Sequence, residues 1–310
     1  MEIFKYNNNY LLKMLINLDK ADKRILFELD KNARIPETKL AKIIGKSKES
    51  VRYRINKLQN EGIITDFTIW IDPTKLGFNS VKIYLNLANK PENKKAFIDY
   101  VKSDKRLMWL GIADGAWNAG LTYFVKSNQE FFELKNELFS KFKDLILESH
   151  TGMLVDVSVC DKIFFHSTET KWNTVFNNFD NYKLETIEKD ILKDLFKNSR
   201  INVVEIARKH NSTVDIIRNR IKKLEDKKII WRYLAKINYN KLGYEFFKTF
   251  LYFKNLTKTD EKRLMEYCRL NPKIIHLVKQ ISPWDIELEI MCDSYLDYNE
   301  IISNLTKEFS

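Results

Sequence analysis

The chain has 310 residues, 44% hydrophobic and 31% charged, with 53 Lys and Arg against 42 Asp and Glu for a formal net charge of +11. Those shares are ordinary for a soluble globular protein with room for several domains, and the basic excess suits an anionic partner such as nucleic acid. With no run of about eighteen apolar residues, no CxxC among Cys160, Cys268 and Cys292, and His150, His166, His210 and His276 scattered, the sequence excludes a membrane span, a disulfide framework, a zinc or other metal site and a catalytic histidine cluster; a reducing cytoplasm fits.

In chain order, residues 10–18 read as a short amphipathic helix, because Lys13 interrupts the apolar run and no small-residue cleavage site follows. From Asp19 a second helix buries Ile25, Leu26 and Leu29 until Asn32-Ala-Arg-Ile-Pro36 breaks it. A helix over 37–44 buries Leu40, Ala41 and Ile44; Gly45-Lys-Ser47 is a turn in which Ser47 can cap the next helix, over 48–60, with Val51, Ile55 and Leu58 inward. After Glu61-Gly62, residues 63–71 alternate as a strand, completing a winged helix-turn-helix. Asp72 to Gly77 has turn chemistry. Beyond it strands are expected over 80–87, 107–112, 120–125 and 153–159, with helices over 92–102 and 129–143: the β-α-β-β-α-β order of a ferredoxin-like unit. The polar, asparagine-rich stretch 167–181 reads as a connector.

The second half repeats the first at a fixed offset of 166 positions. Ile25, Leu26, Leu29, Lys31, Asn32, Arg34 and Ile35 recur as Ile191, Leu192, Leu195, Lys197, Asn198, Arg200 and Ile201, and the register runs through Arg54/Arg220, Leu58/Leu224 and Gly77/Gly243. A period this long marks a duplicated domain-sized unit, not a solenoid, so one polypeptide can act as an intramolecular pseudo-dimer. The fold class is therefore α+β, with two tandem units, each a winged helix-turn-helix followed by a ferredoxin-like domain. The second unit lacks its last strand, because a helix expected over 298–309 reaches the end of the chain. The expected divisions are 1–17, an N-terminal helix; 18–70, winged helix-turn-helix 1; 71–166, ferredoxin-like domain 1; 167–181, linker; 182–236, winged helix-turn-helix 2; and 237–310, incomplete ferredoxin-like domain 2.

The outer face of the helix over 48–60, with the turn before it, offers Lys46, Ser47, Lys48, Ser50, Arg52, Tyr53, Arg54 and Lys57. A helix fits the major groove of double-stranded DNA with its N-terminal residues at base edges. That assigns Ser47, Lys48, Ser50 and Tyr53 to bases and Arg52, Arg54 and Lys57 to phosphates. In the second copy Thr213, Val214, Arg218, Asn219, Arg220 and Lys222 occupy the same face, and Val214, Asp215 and Ile216 replace Lys48, Glu49 and Ser50. The two copies are expected to read different half-sites.

The element order and the segments Arg34-Ile35 to Leu40-Ala41, Ser47-x-x-Ser50-Val51-x-x-Arg54-Ile55-x-x-Leu58-x-x-x-Gly62-Ile63-Ile64 and Leu76-Gly77 resemble the Lrp/AsnC family of transcription regulators, archaeal members especially. The resemblance spans nearly all of 18–165 and again 182–310. It implies a ferredoxin-like (RAM) domain that drives dimerisation by packing sheets face to face, assembly into larger rings in some relatives, and in many members an amino acid or similar small-molecule effector. Relatives usually carry a glycine and then an aspartate in the turn between the second and third strands. Asp114, Gly115, Trp117 and Asn118 stand there in the first copy and Trp284 and Asp285 in the second, each departing from that pattern. The expectation is a DNA-binding regulator, not an enzyme and without a cofactor. The competing classes are a siroheme-decarboxylase-like tetrapyrrole enzyme, for which only His276 and Arg106 offer themselves, and a protein-interaction module independent of DNA.

Overall fold

The computed structural model describes residues 18–113, 115–161, 165 and 172–309. The expected N-terminal helix and Asp114 lie outside the described residues. The first unit opens with α1 (Lys20–Lys31), α2 (Glu37–Ile44), α3 (Lys48–Asn60) and β1 (Ile64–Ile71); the second with α6 (Thr186–Lys197), α7 (Val203–Lys209), α8 (Val214–Asp226) and β7 (Ile230–Ile237). The ferredoxin-like elements are β2 (Asn79–Leu87), α4 (Pro91–Ser103), β3 (Leu107–Ile112), β4 (Ala119–Val125), α5 (Asn128–Lys141) and β5 (Ile146–Cys160), and then β8 (Glu245–Leu251), α9 (Lys258–Leu270), β9 (Ile274–Ile281), β10 (Ile286–Cys292) and α10 (Tyr295–Glu308). Most helix starts are locally encoded: Asp19, Ser47, Ser127, Thr213, Thr257 and Ser294 accept a backbone N–H from the first turn they cap.

The two winged units form one body because their wings pair, β1 antiparallel to β7. The pairing is reciprocal about an internal twofold. Ala33 N–H donates to the Tyr233 carbonyl and Ser199 N–H to that of Phe67, each at 2.9 Å. Asp72 N–H reaches the Ile229 carbonyl (3.0 Å) as Asn238 N–H reaches that of Ile63 (2.8 Å). Arg34 donates to the Ser199 carbonyl at 2.6 Å, and its repeat equivalent Arg200 to the Ala33 carbonyl at 2.8 Å. Every contact pairs residue i with j+166 and then j with i+166, the signature of an isologous interface inside one chain. Leu26 and Leu29 of α1, Leu192 and Leu195 of α6, and Phe67 and Tyr233 of the wings share a single core.

The effector halves depart from two separate sheets meeting face to face. Among the described residues they form one eight-stranded sheet, seven strands in the order β3-β4-β2-β5-β9-β10-β8 and a short eighth on β5, so the halves are also joined edge to edge where β5 pairs with β9. β5 is twice the expected length: residues 146–153 pair with β2 and 153–159 with β9. Its first half, Leu147-Glu-Ser-His150, shows no clean alternation, so only the pairing reveals it as strand. Part of the expected connector is also strand: β6 (Trp172–Val175) adds to β5 beyond the end of β2, while residues 166–171 lie outside the described residues. Val175 and Phe176 are buried there with Val157 and Val159, which the polar run had concealed. The inner faces of the halves still meet: Lys82 of β2 reaches Glu287 of β10, and Tyr84 packs edge-on against Phe250 of β8 at 5.2 Å. Helices α4 and α5 cover one outer face through Phe97, Leu134 and Leu138, and α9 and α10 the other through Leu264, Ile301 and Leu305. Among the described residues no strand follows α10, and β8 pairs only with β10.

Among the described residues the duplication leaves two side chains where the first copy has a left-handed glycine: Asn211 (φ 48°) opposite Gly45, a residue type that tolerates this region, and Lys228 opposite Gly62. Gly62 takes φ 66° at the start of the first wing, and its repeat equivalent Lys228 takes φ 58°. A side chain in the left-handed region costs about 1–2 kcal/mol, partly offset by the larger unfolded-state entropy of glycine. Lys228→Gly is expected to stabilise the chain by up to about 1 kcal/mol, read as a rise in urea midpoint; an unchanged or lower midpoint counts against the strain.

Candidate nucleic-acid interface and effector region

The recognition surface begins at the tight turn before α3. Gly45 ends α2 in the left-handed conformation (φ 69°), and Ser47 Oγ accepts the Ser50 N–H at 3.1 Å. In the second copy Thr213 Oγ1 accepts the Ile216 N–H at 3.3 Å. Ser47 and Thr213 are therefore N-caps, leaving each hydroxyl its proton and one lone pair to offer DNA. Val51, Ile55 and Leu58 are buried and set the rotation of α3; Ile217, Ile221 and Leu224 do so for α8.

Rotation leaves Lys46, Lys48, Arg52, Tyr53 and Lys57 exposed and Ser50 half-buried, with the Tyr53 ring 69% exposed. In the second copy Arg218, Asn219 and Lys222 are exposed, Val214 is half-buried and Ile216 is 48% exposed. The chemistry of the two faces differs: cationic and aromatic in the first, amide and aliphatic in the second.

Two arginines leave the expected phosphate set. Arg54 Nη1 lies 2.7 Å from both Asp19 and Asp22, turned back onto the N-terminus of α1. Its hydrogen bonds to Asp22 and Asp19 raise its pKa. At the equivalent position Arg220 is bound by Glu185 and by Glu188, 3.3 Å away. The same clamp in both copies makes these arginines structural: each ties the recognition helix to the helix behind it. Arg52 is paired with Glu37 at 2.9 Å and Arg218 with Asp215 at 2.7 Å, but both pairs are solvent-exposed and separate at little cost. Lys57 faces Glu61 at 3.8 Å. Arg54→Ala leaves the buried Asp22 carboxylate without its partner and should cost about 1–2 kcal/mol while the salt dependence of DNA binding stays unchanged. A fall in that slope would return Arg54 to the interface.

The expected effector residues hold turns. Asn118 N–H donates to the Leu85 carbonyl (3.1 Å) and its Oδ1 accepts the Leu87 N–H (2.9 Å). Asp285 repeats this on the second copy, N–H to the Leu251 carbonyl (3.1 Å) and carboxylate to the Phe253 N–H (3.1 Å). Both side chains are used in lacing the turn to the first strand. Trp284 is 1% exposed, packed between Tyr84 and Phe250. Trp117 lies half-buried on His150, ring centroids 4.6 Å apart, and Gly115 serves the turn with φ 146°.

One feature of the effector halves was absent from the sequence expectations: a buried charge network on the twofold. Lys82 and its repeat equivalent Lys248 converge on Glu287, the first at 3.0 Å. Tyr84 and Gln280 also donate to Glu287, and Lys248 continues to Glu289 at 2.7 Å. Burial works to raise the Glu287 carboxyl, but the Lys82 and Lys248 charges outweigh it and hold it below the usual range. Glu289, against the same burial, is held well below by Lys248 and His276. Lysines at one repeat position, set in otherwise apolar strands, were the available signal.

Residues 18–65 match the family model described as winged helix-turn-helix DNA-binding. The chain is 32% identical over 124 residues to the HTH-type transcriptional regulator LrpA of Pyrococcus abyssi, covering 40% of this chain and 87% of that protein. The chain belongs to the Lrp/AsnC family of transcriptional regulators. An uncharacterized HTH-type transcriptional regulator of Pyrococcus furiosus is 30% identical over 140 residues, covering 45% of this regulator and 93% of that one. Each relative is matched over nearly its whole length by less than half of this chain, as a duplicated unit requires. The crystal structure of the siroheme decarboxylase NirDL is similar across both units, with TM-score 0.64 and 13% identity over 94% of this chain and 87% of that one. At that identity it speaks for the fold alone. No helix among the described residues is long and apolar enough to cross a membrane.

Proposed function

We propose that this regulator binds double-stranded DNA sequence-specifically as a tandem pseudo-dimer on an asymmetric site, that a small-molecule effector modulates it, and that it is not an enzyme. The supporting observation is the reciprocal wing pairing, which fixes two recognition helices of unequal chemistry in one body. Lys46, Lys48 and Tyr53 would contact one half-site, with Arg52 and Lys57 on phosphates. Asn219 would read an adenine edge or Ile216 a thymine methyl in the other, flanked by Arg218 and Lys222.

The enzymatic reading draws on NirDL, whose second structure is a co-complex with an iron-uroporphyrin III analogue. Its two candidate residues here do not share a site. Arg106 is closed onto Asp104 (2.8 Å) and Glu137 (3.5 Å) beside α5, whereas His276 faces Trp70 of the wing, ring centroids 6.0 Å apart. That separation favours the regulator.

The test is titration of the full chain with promoter fragments at low and physiological salt, followed by footprinting. A two-part footprint of unequal halves at physiological salt supports the reading. Binding that disappears with salt and leaves no footprint refutes it, and salt-independent association would point to a protein partner.

A further inference from the structure

The two copies differ most sharply in what they turn toward the wings. Where the first has Trp109 on β3 and Thr122 on β4, the second has His276 on β9 and Glu289 on β10 at the same register. His276 Nδ1 is hydrogen-bonded to one Glu289 oxygen and Lys248 holds the other. A carboxylate at Nδ1 keeps the proton there and leaves Nε2 as an acceptor. Among the described residues Nε2 has no hydrogen-bond partner.

His276 lines a cleft of about 630 Å³ between the wing ribbon and the folded sheet. Its origin lies in the duplication. β5 runs between β2 and β9, and the twofold-related passage between β8 and β3 carries no strand among the described residues. Trp109 lies along one wall. Its ring is so close to the backbone that a Cβ at Gly111 or Gly120 would come within 2.2 or 3.0 Å of it. By strand register the equivalents of these three residues are His276, Val278 and Glu287, so the flat indole wall exists in one copy only. Trp70 forms another wall beside His276. Charges at the cleft are matched: Arg232 lies 3.9 Å from Asp30, and Lys248 neutralises Glu289.

We propose that this cleft binds a small, neutral, planar aromatic molecule with an N–H or O–H donor on its edge, its ring against Trp109 and Trp70 and its donor on His276 Nε2. The volume is that of ordinary small-molecule sites. Because Trp70 belongs to β1 and His276 to the sheet, the ligand bridges the DNA-binding body and the effector body. This deepens the effector part of the proposed function and rests on it only for its regulatory meaning.

The test is calorimetric titration of the full chain, without DNA, with indole and with benzothiophene, its isostere lacking the N–H. One site per chain is expected, with indole bound at least about tenfold tighter. His276→Leu, which removes the acceptor and leaves an apolar side chain, should bring indole down to the benzothiophene level. Ile112→Trp, at a position 58% exposed on the cleft wall, should abolish both without changing the melting temperature. Absence of saturable binding, equal affinity for the two probes, or indole binding unchanged in Ile112→Trp overturns the proposal. Should His276→Leu fail to fold, the probe pair and Ile112→Trp still decide. Indole titration of a preformed DNA complex separates the two readings: binding that leaves DNA affinity unchanged keeps the site and removes its regulatory role.

Discussion

Glu287→Ala is expected to lower the stability of the chain by about 3–5 kcal/mol, since breaking a buried ion pair on one side strands the other charge. Glu287 is fully buried and Lys82 is 6% exposed, so neither Lys82 nor Lys248 can turn readily to water when the carboxylate is lost. The same logic makes the double change Lys82→Met, Glu287→Leu far milder than Glu287→Ala, because Lys248 stays paired with Glu289 and no uncompensated charge remains. Urea unfolding of the two variants checks this; a Glu287→Ala loss below about 1 kcal/mol would mean that water or rearrangement already solvates the lysines. The sign with pH follows from the carboxyls. Both Glu287 and Glu289 are held below their ordinary value of 4.5 in the folded chain. The unfolded chain thus binds protons first. The stabilisation is fully present above pH 4.5 and is lost as pH falls through the folded values. Wild-type urea midpoints should drop steeply below pH 4.5, and those of the double variant, which lacks Glu287, more gently.

Lys46→Ala with Lys48→Ala should weaken binding to a thirty-base-pair promoter duplex by about a hundredfold at low salt, and should reduce the slope of log K against log salt by about 2, from 0.9 per phosphate contact. These two lysines flank the Ser47 cap at the α3 N-terminus, where backbone N–H groups add to the field felt by a phosphate. Among the described residues they have no intramolecular ion pair, so all of their charge is available to DNA. Lys222→Ala in the second copy is expected to change the slope by about 1 and to alter only its own half of the footprint. Equal and small effects from both copies would mean that another face of the chain meets the duplex.

The comparison of Arg52 with Arg54 shows where sequence reasoning stops. Helical spacing places both outside the buried stripe of Val51, Ile55 and Leu58, and nothing local separates them. Asp19 and Asp22 lie 35 and 32 residues earlier, and only the packing of α1 behind α3 brings them to Arg54. Asn118 and Asp285 pose the same problem: a polar residue in a turn is equally suited to a ligand or to a neighbouring strand, and the distance to Leu87 or Phe253 decides. Lys82 and Lys248 could have been found, since the repeat aligns them within apolar strands, but at the register position of their shared partner Glu287 the first copy has Gly120.

By itself the sequence determined the helices, their caps, the recognition turn and the existence of two units, because these depend on residues within a few positions of one another and on a self-match that needs no coordinates. Only the tertiary structure decided that the wings pair reciprocally, that β5 runs on to pair with β9, that two arginines are clamps, and that a histidine and a glutamate meet beside a strand position that no described residue fills. Those outcomes depend on pairing across more than a hundred residues, where one local pattern is compatible with many partners and backbone hydrogen bonding and burial choose among them.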